Sequence, residues 1–174
     1  MLQKFNKLLH EPLIWKMDGM FKRSYSLFHD EEPLAQFRQE SGMFKMDGSI
    51  YLHEAKEPLF IFRPKGVFST RVEVESNDID FQAAKIKPRK WGGGIDIDFL
   101  NGNSYSWQRT NMWNGKWHLK SADGLMIAEL RSNALGTSRT ITIESDKPHP
   151  AELNLLIFGG WAQFIFEMQA AGAA

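Results

Sequence analysis

The densest cationic stretch in the sequence is Lys85, Lys87, Arg89 and Lys90, with Trp91 directly after it. Ammonium and guanidinium groups gathered in this way can hold an anionic head group, and an indole beside them suits the boundary between water and lipid. The same residues also suit the charged end of a solvated strand, where they keep an edge from pairing with another chain. A smaller set, Arg63, Lys65 and Arg71, surrounds the turn signal Pro64-Lys65-Gly66. Asp96 and Asp98 alternate just after Gly92-Gly93-Gly94. Paired carboxylates can bind a hard cation, and they are equally at home as the wet face of an amphipathic strand. The triple glycine is no phosphate loop, because no Gly-Lys-Ser/Thr follows; a bend that curls a sheet is the expectation. Trp107, Trp113 and Trp117 gather with Tyr105 around Asn114-Gly115. Such rings could stack on a sugar or a base, or pair across the strands of a hairpin.

Other chemistry is missing at the level of motifs. The histidines, His10, His29, His53, His118 and His149, are not spaced as zinc pairs, and neither Gly-x-Ser-x-Gly nor His-Glu-x-x-His occurs. With no cysteine, disulfides, thiol catalysis and thiolate metal sites are excluded. The chain is therefore read as a non-catalytic module with no cofactor and no metal. Lys+Arg and Asp+Glu number 21 each, so there is no global charge to attract nucleic acid, and none is expected as a partner. Charged residues interrupt the segment MLQKFNKLLHEPLIWK, which has no apolar run of signal-peptide length. The expected location is cytoplasmic, peripheral to a membrane where lipid is bound.

The elements that must position these residues are short strands. Asp18-Gly19, Asp47-Gly48, Asp123-Gly124, Asn101-Gly102 and Asn114-Gly115 are strong hairpin signals. Between them lie runs rich in aromatic and β-branched residues: Met20–Phe28, Leu34–Gln39, Ile50–His53, Leu59–Arg63, Val67–Glu75, Ile79–Lys87, Gly94–Leu100, Ser104–Thr110, Lys116–Lys120, Leu125–Arg131 and Ser138–Glu144. Val72 and Val74 oppose Arg71, Glu73 and Glu75, while Ile95, Ile97 and Phe99 oppose Asp96 and Asp98. This period of two marks a sheet with one packed and one wet face. Glu-Pro-Leu recurs at Glu11–Leu13, Glu32–Leu34 and Glu57–Leu59, without the fixed period of a solenoid.

The last segment changes period. After Pro150, the residues Leu153, Leu156, Ile157, Gly160, Trp161, Phe164, Ile165 and Met168 follow the spacing of a helix face, and Leu155, Phe158, Ala162 and Phe166 fill the opposite side. A helix apolar nearly all round is buried in protein or in a membrane. The run Leu153–Phe166 is 14 residues and holds Asn154 and Gln163, short of the roughly 20 that span a bilayer. A core helix near 151–168 and no transmembrane segment are expected. Rolling about twelve antiparallel strands around that helix removes both sheet edges and buries the helix together. The predicted fold is all-β with one helix: a single domain over 1–174, a closed antiparallel barrel around a buried C-terminal helix, with Trp161 at its centre.

The segments Phe21–Phe37 (FKRSYSLFHDEEPLAQF), Lys116–Leu130 (KWHLKSADGLMIAEL) and Glu152–Met168 (ELNLLIFGGWAQFIFEM), in their order of hairpins followed by an apolar helix, resemble the tubby C-terminal-like superfamily. That superfamily takes in tubby domains, phospholipid scramblases and LURP-one-related proteins. The resemblance implies a twelve-stranded barrel threaded by the helix, and a partner that is an anionic phospholipid or another protein. The cysteine cluster and proline-rich leader of the scramblases are absent. The alternative reading is a barrel enzyme or small-ligand carrier with an interior site.

Overall fold

Alternation of apolar and polar side chains sets the outline of the molecule. The computed structural model describes residues 7, 11–18, 24–39, 48–65, 71–77, 83–89, 94–110, 115–133, 138–145 and 147–157. Twelve strands run in chain order: β1 (Leu13–Met17), β2 (Ser24–His29), β3 (Glu32–Gln39), β4 (Gly48–Leu52), β5 (Phe60–Lys65), β6 (Arg71–Ser76), β7 (Ala84–Pro88), β8 (Gly94–Phe99), β9 (Ser104–Arg109), β10 (Lys116–Ser121), β11 (Met126–Ser132) and β12 (Ser138–Ile143). Each pairs antiparallel with its chain neighbours, and β1 pairs with β12 through Leu13–Ile141 and Trp15–Arg139 to close the barrel. Closure leaves no strand edge for another chain to extend. The helix α1 follows over residues 150–157.

The inward positions carry the core. Leu13, Trp15, Leu27, Ile50, Phe60, Ile86, Ile95, Ile97, Trp107, Leu119 and Ile127 are all under 2% exposed. α1 lies among them. Its residues from Ala151 to Ile157 are all buried, whichever way they face, and Leu155, Leu156 and Ile157 are wholly inaccessible. A helix buried on every side has to be surrounded, and the barrel wall surrounds it. Burial of each such leucine or isoleucine stabilises the fold by roughly 1.5–3 kcal/mol.

Two rims follow from the strand directions. The connections β2–β3, β4–β5, β6–β7, β8–β9 and β10–β11 share a rim with the start of α1, here the helix-side rim. The opposite strand ends make the far rim. The Glu-Pro-Leu repeats all sit at the helix-side rim, leading into β1, β3 and β5, with Leu13, Leu34 and Leu59 buried. They are a recurring way to start an outbound strand: a proline where its missing N–H is tolerated, then an apolar anchor. Leu34 is also the extra residue of a bulge, since Leu27 pairs with Ala35 and Phe28 with Pro33. Ile127 plays the same part between β10 and β11, which turns two consecutive residues, Ile127 and Ala128, to the interior.

Some expectations are corrected. β1 is absent from the runs of the sequence reading, although it closes the barrel; five residues leave too little alternation to stand out. The runs expected from Met20, Val67 and Ile79 contain most of β2, β6 and β7, while their first residues lie outside the described residues. Gly48 belongs to β4 rather than to a turn, and the Phe37 ring lies 2.5 Å from where its Cβ would stand. Gly94 opens β8 at φ +135°, and a Cβ there would meet the Trp107 carbonyl oxygen at 1.8 Å. Only glycine allows β8 and β9 to approach at that point. The described helix ends at 157; the rest of the 151–168 segment, with Gly159, Gly160 and Trp161, lies outside the described residues.

Candidate functional site

β7 carries the cationic run. Its pattern turns Ala84 and Ile86 inward and Lys85 and Lys87 outward, with Arg89 just beyond the strand. Lys90 and Trp91 lie outside the described residues. The cations are interleaved with acids from the neighbouring strands. Lys85 stands between Glu73 on β6 and Asp98 on β8, and Lys87 stands opposite Asp96. Lys87 Nζ reaches Asp98 Oδ2 at 2.9 Å, and Arg89 Nε lies 3.5 Å from Asp96. The hydrogen bond from Lys87 holds the Asp98 carboxyl below its ordinary range, against a smaller opposing effect of burial. The second set is paired as well: Arg63 with Glu75 at 3.1 Å, Lys65 with Glu73 at 3.7 Å and Arg71 with Glu73 at 3.4 Å. Together the outward face of β5–β8 is a lattice of ion pairs in which Arg63, Lys65, Arg71, Lys85, Lys87 and Arg89 outnumber Glu73, Glu75, Asp96 and Asp98. Each exposed pair is worth little to stability, about 0–1 kcal/mol, so the lattice can rearrange around an incoming anion at small cost.

A cleft of about 290 Å³ opens at the helix-side rim, lined by Asn103, Ser104, Tyr105, Ser121, Asp123 and Lys147 among others. A hollow of about 190 Å³ continues from it over Ser104 and Tyr105 to Lys87, Asp96 and Asp98. Asp123 sits in the β10–β11 turn, accepts from the Ser121 hydroxyl and takes Lys147 Nζ at 2.9 Å, which hold its carboxyl well below the usual range.

The floor of this region is the socket of the helix. Glu152 is 5% exposed, and three donors converge on it: Asn101 Nδ2 at 2.6 Å, Asn103 Nδ2 at 2.9 Å and the Tyr105 hydroxyl at 2.8 Å. Burial pushes the Tyr105 phenol well above its ordinary value, and the Glu152 carboxylate adds to the shift. One turn further, Trp107 Nε1 donates to the Leu156 carbonyl at 2.9 Å. His149 begins the helix: its carbonyl accepts from Leu153 N at 2.9 Å, and Pro150 occupies the first helical position, where a missing N–H is harmless. The Asn154 amide is wholly buried, with both its polar atoms lacking a hydrogen-bond partner.

The aromatic cluster is thus structural. Trp107, Trp117 and Tyr105 face inward at 0%, 3% and 8% exposure and cannot stack on an outside ligand; Trp113 lies outside the described residues. Asp96 and Asp98 are committed to cations and to Ser104, which donates to Asp98 at 2.9 Å. Among the described residues no group of three or more His, Asp or Glu side chains is gathered for a metal ion. The sequence reading missed Glu152 and its three donors. A lone carboxylate in an otherwise apolar helix was the available signal, because a buried charge requires partners.

No family model matches the chain, and neither a curated protein nor a solved structure matches it. Among the described residues no helix is long and apolar enough to cross a membrane.

Proposed function

We propose that this chain is a non-catalytic binding module that works from its outer surface, and that its ligand is the anionic head-group layer of a phospholipid membrane. The observation that carries the reading is the buried helix. α1 is buried on every side among the inward side chains, and a helix in the interior favours a site on the outside of the barrel over one within it. A closed twelve-stranded barrel holding a helix is also what the resemblance to tubby-like proteins implies, and it supports that kinship as a proposal. The excess of cations on β5–β8, with Lys85, Lys87 and Arg89 along β7, supplies the attraction. Peripheral attachment at the cytoplasmic face of a membrane goes with this reading.

Sedimentation with vesicles tests it. The full chain should pellet with phosphatidylserine-containing vesicles at low salt and be released as salt shortens the screening length. Equal recovery with neutral phosphatidylcholine vesicles would overturn the proposal. The small-ligand reading keeps one specific support, the polar cleft around Ser121, Asp123 and Lys147.

A further inference from the structure

The net charge of zero conceals a strong polarity along the barrel axis. Consider the described residues within two positions of the strand ends. At the far rim these are eleven cations, among them Lys16, Arg38, Arg63, Arg71, Arg109 and Arg131, against three carboxylates, Asp18, Glu73 and Asp96. At the helix-side rim the same count gives nine carboxylates, among them Glu11, Asp30, Glu31 and Glu54, against two lysines, Lys85 and Lys120. Of the far-rim cations Arg139 and Arg109 lie on the inward face of the wall: the charge of Arg139 faces the Tyr25 phenol, and the Arg109 guanidinium stands over the Trp117 ring at the barrel mouth, 5.5 Å from its centre. The other nine point outward from β1, β3, β5, β6, β7, β10 and β11, seven of the twelve strands. Of the carboxylates near this rim, Glu73 pairs with Lys65 and Arg71 and Asp96 with Arg89, while Glu129, three positions in from the end of β11, pairs with Lys116 and Arg131; the cations still outnumber them.

The shape of this distribution selects the partner. A cationic groove or one-sided stripe would follow a nucleic-acid strand, which touches an arc of a barrel. Cations spread around a rim are all satisfied at once only by a plane. Twelve strands spaced by about 4.8 Å and tilted by about 40° close to a ring roughly 24 Å across, wide enough to cover several lipid head groups. We infer that the far rim is the docking face for an anionic bilayer, with the barrel axis upright on the membrane and the acidic helix-side rim turned to the solvent. The inference rests on the proposed membrane function and fixes its geometry. The patch on β7 then contributes as one sector of a ring, and Arg38 on β3, Arg109 on β9 and Arg131 on β11 matter as much, although none of them belongs to β5–β8.

Vesicle sedimentation of the full chain at low salt separates the possibilities. Each basic residue near an anionic surface changes partitioning roughly five-fold, so removing three changes it about a hundred-fold. The triple variant Arg38→Gln, Arg109→Gln, Arg131→Gln should lose about as much binding to phosphatidylserine–phosphatidylcholine vesicles as Lys85→Gln, Lys87→Gln, Arg89→Gln. The triple Glu31→Gln, Glu54→Gln, Glu57→Gln shifts net charge equally at the other rim and should leave binding unchanged. Should either arginine-containing triple fail to fold by circular dichroism, the pair Lys16→Gln, Lys65→Gln takes its place with a roughly 25-fold loss expected. Loss confined to the β7 triple would mean side-on docking and would overturn the upright geometry while the membrane reading stands. A gain from the glutamate triple matching the arginine loss would mean that net charge alone drives binding, and would overturn it too. Pelleting without vesicles, reversed by salt, would assign the far rim to the acidic rim of a second copy instead. No binding by the unmodified chain would remove the membrane reading itself.

Discussion

The Trp107 indole donates to the Leu156 carbonyl at 2.9 Å, across the boundary between barrel wall and helix. Both residues are wholly buried, so neither end of the bond can be replaced by water. This bond, with the Glu152 socket one turn earlier, sets how deep the helix sits and at what rotation. Trp107→Phe should cost about 1 kcal/mol for the lost bond plus a small packing loss, while Trp107→Ala should cost about 3–5 kcal/mol by leaving a cavity. Denaturant midpoints at constant slope would measure both.

Glu152 is expected to behave as a latch. Glu152→Ala would leave Tyr105, Asn101 and Asn103 without their acceptor, at a cost of about 1–3 kcal/mol or more. Tyr105→Phe in the Ala background should then cost less than it does in the unmodified chain. A double-mutant cycle reads that difference, and additivity of the two changes would contradict the latch.

Asn154 makes the opposite prediction. Its amide is fully buried with no partner, so the helix carries a desolvation cost of about 1–3 kcal/mol at that position. Asn154→Leu should raise the denaturant midpoint. A clear loss of stability would mean that the amide serves a purpose the described contacts do not supply.

The backbone between β8 and β9 should tolerate no side chain at position 94. Gly94→Ala combines a positive φ with a collision against the Trp107 carbonyl, and it should cost at least about 1–3 kcal/mol. Gly102, also at positive φ but with nothing within 4 Å of its Cβ position, should cost less when changed to Ala. Equal effects at the two positions would show that strand approach is not the constraint.

The sequence revealed most strands because alternation is local: Val72 and Val74, or Ile95 and Ile97, declare an inward face without any knowledge of the neighbours. It revealed the burial of Leu153, Leu155, Leu156 and Ile157 because a helix apolar on every side must be enclosed. It hid β1, whose identity depends on pairing with β12, some 125 residues away in the chain. It hid the ion-pair lattice for the same reason, since Lys87 and Asp98 meet only through strand register. The axial polarity of charge was invisible too. Lys16, Arg38 and Arg131 look scattered until strand direction places them on one rim.

His29 gives a pH signature. Its imidazole bonds Glu11 at 3.0 Å, and that bond, aided by Asp30 and Glu32, raises its affinity for a proton against the opposing effect of burial. A pKa raised on folding stabilises the fold when the group is protonated. The contribution is therefore fully present below about pH 6.5 and is lost as pH rises through the higher folded value. His29→Gln should lower the denaturant midpoint in mild acid and lose that deficit in mild alkali. A deficit independent of pH would contradict the assignment.

The central claim is that the C-terminal helix lies within the barrel and favours a site on its outside. Nuclear Overhauser contacts of the Trp107 indole proton in the full chain test it most directly. Cross-peaks to the backbone and methyl protons of Leu156, with an indole signal that exchanges only as slowly as the barrel unfolds, are the expected result. An indole proton that exchanges rapidly with water and shows no contact to Leu156 would place the helix outside the barrel and contradict the account.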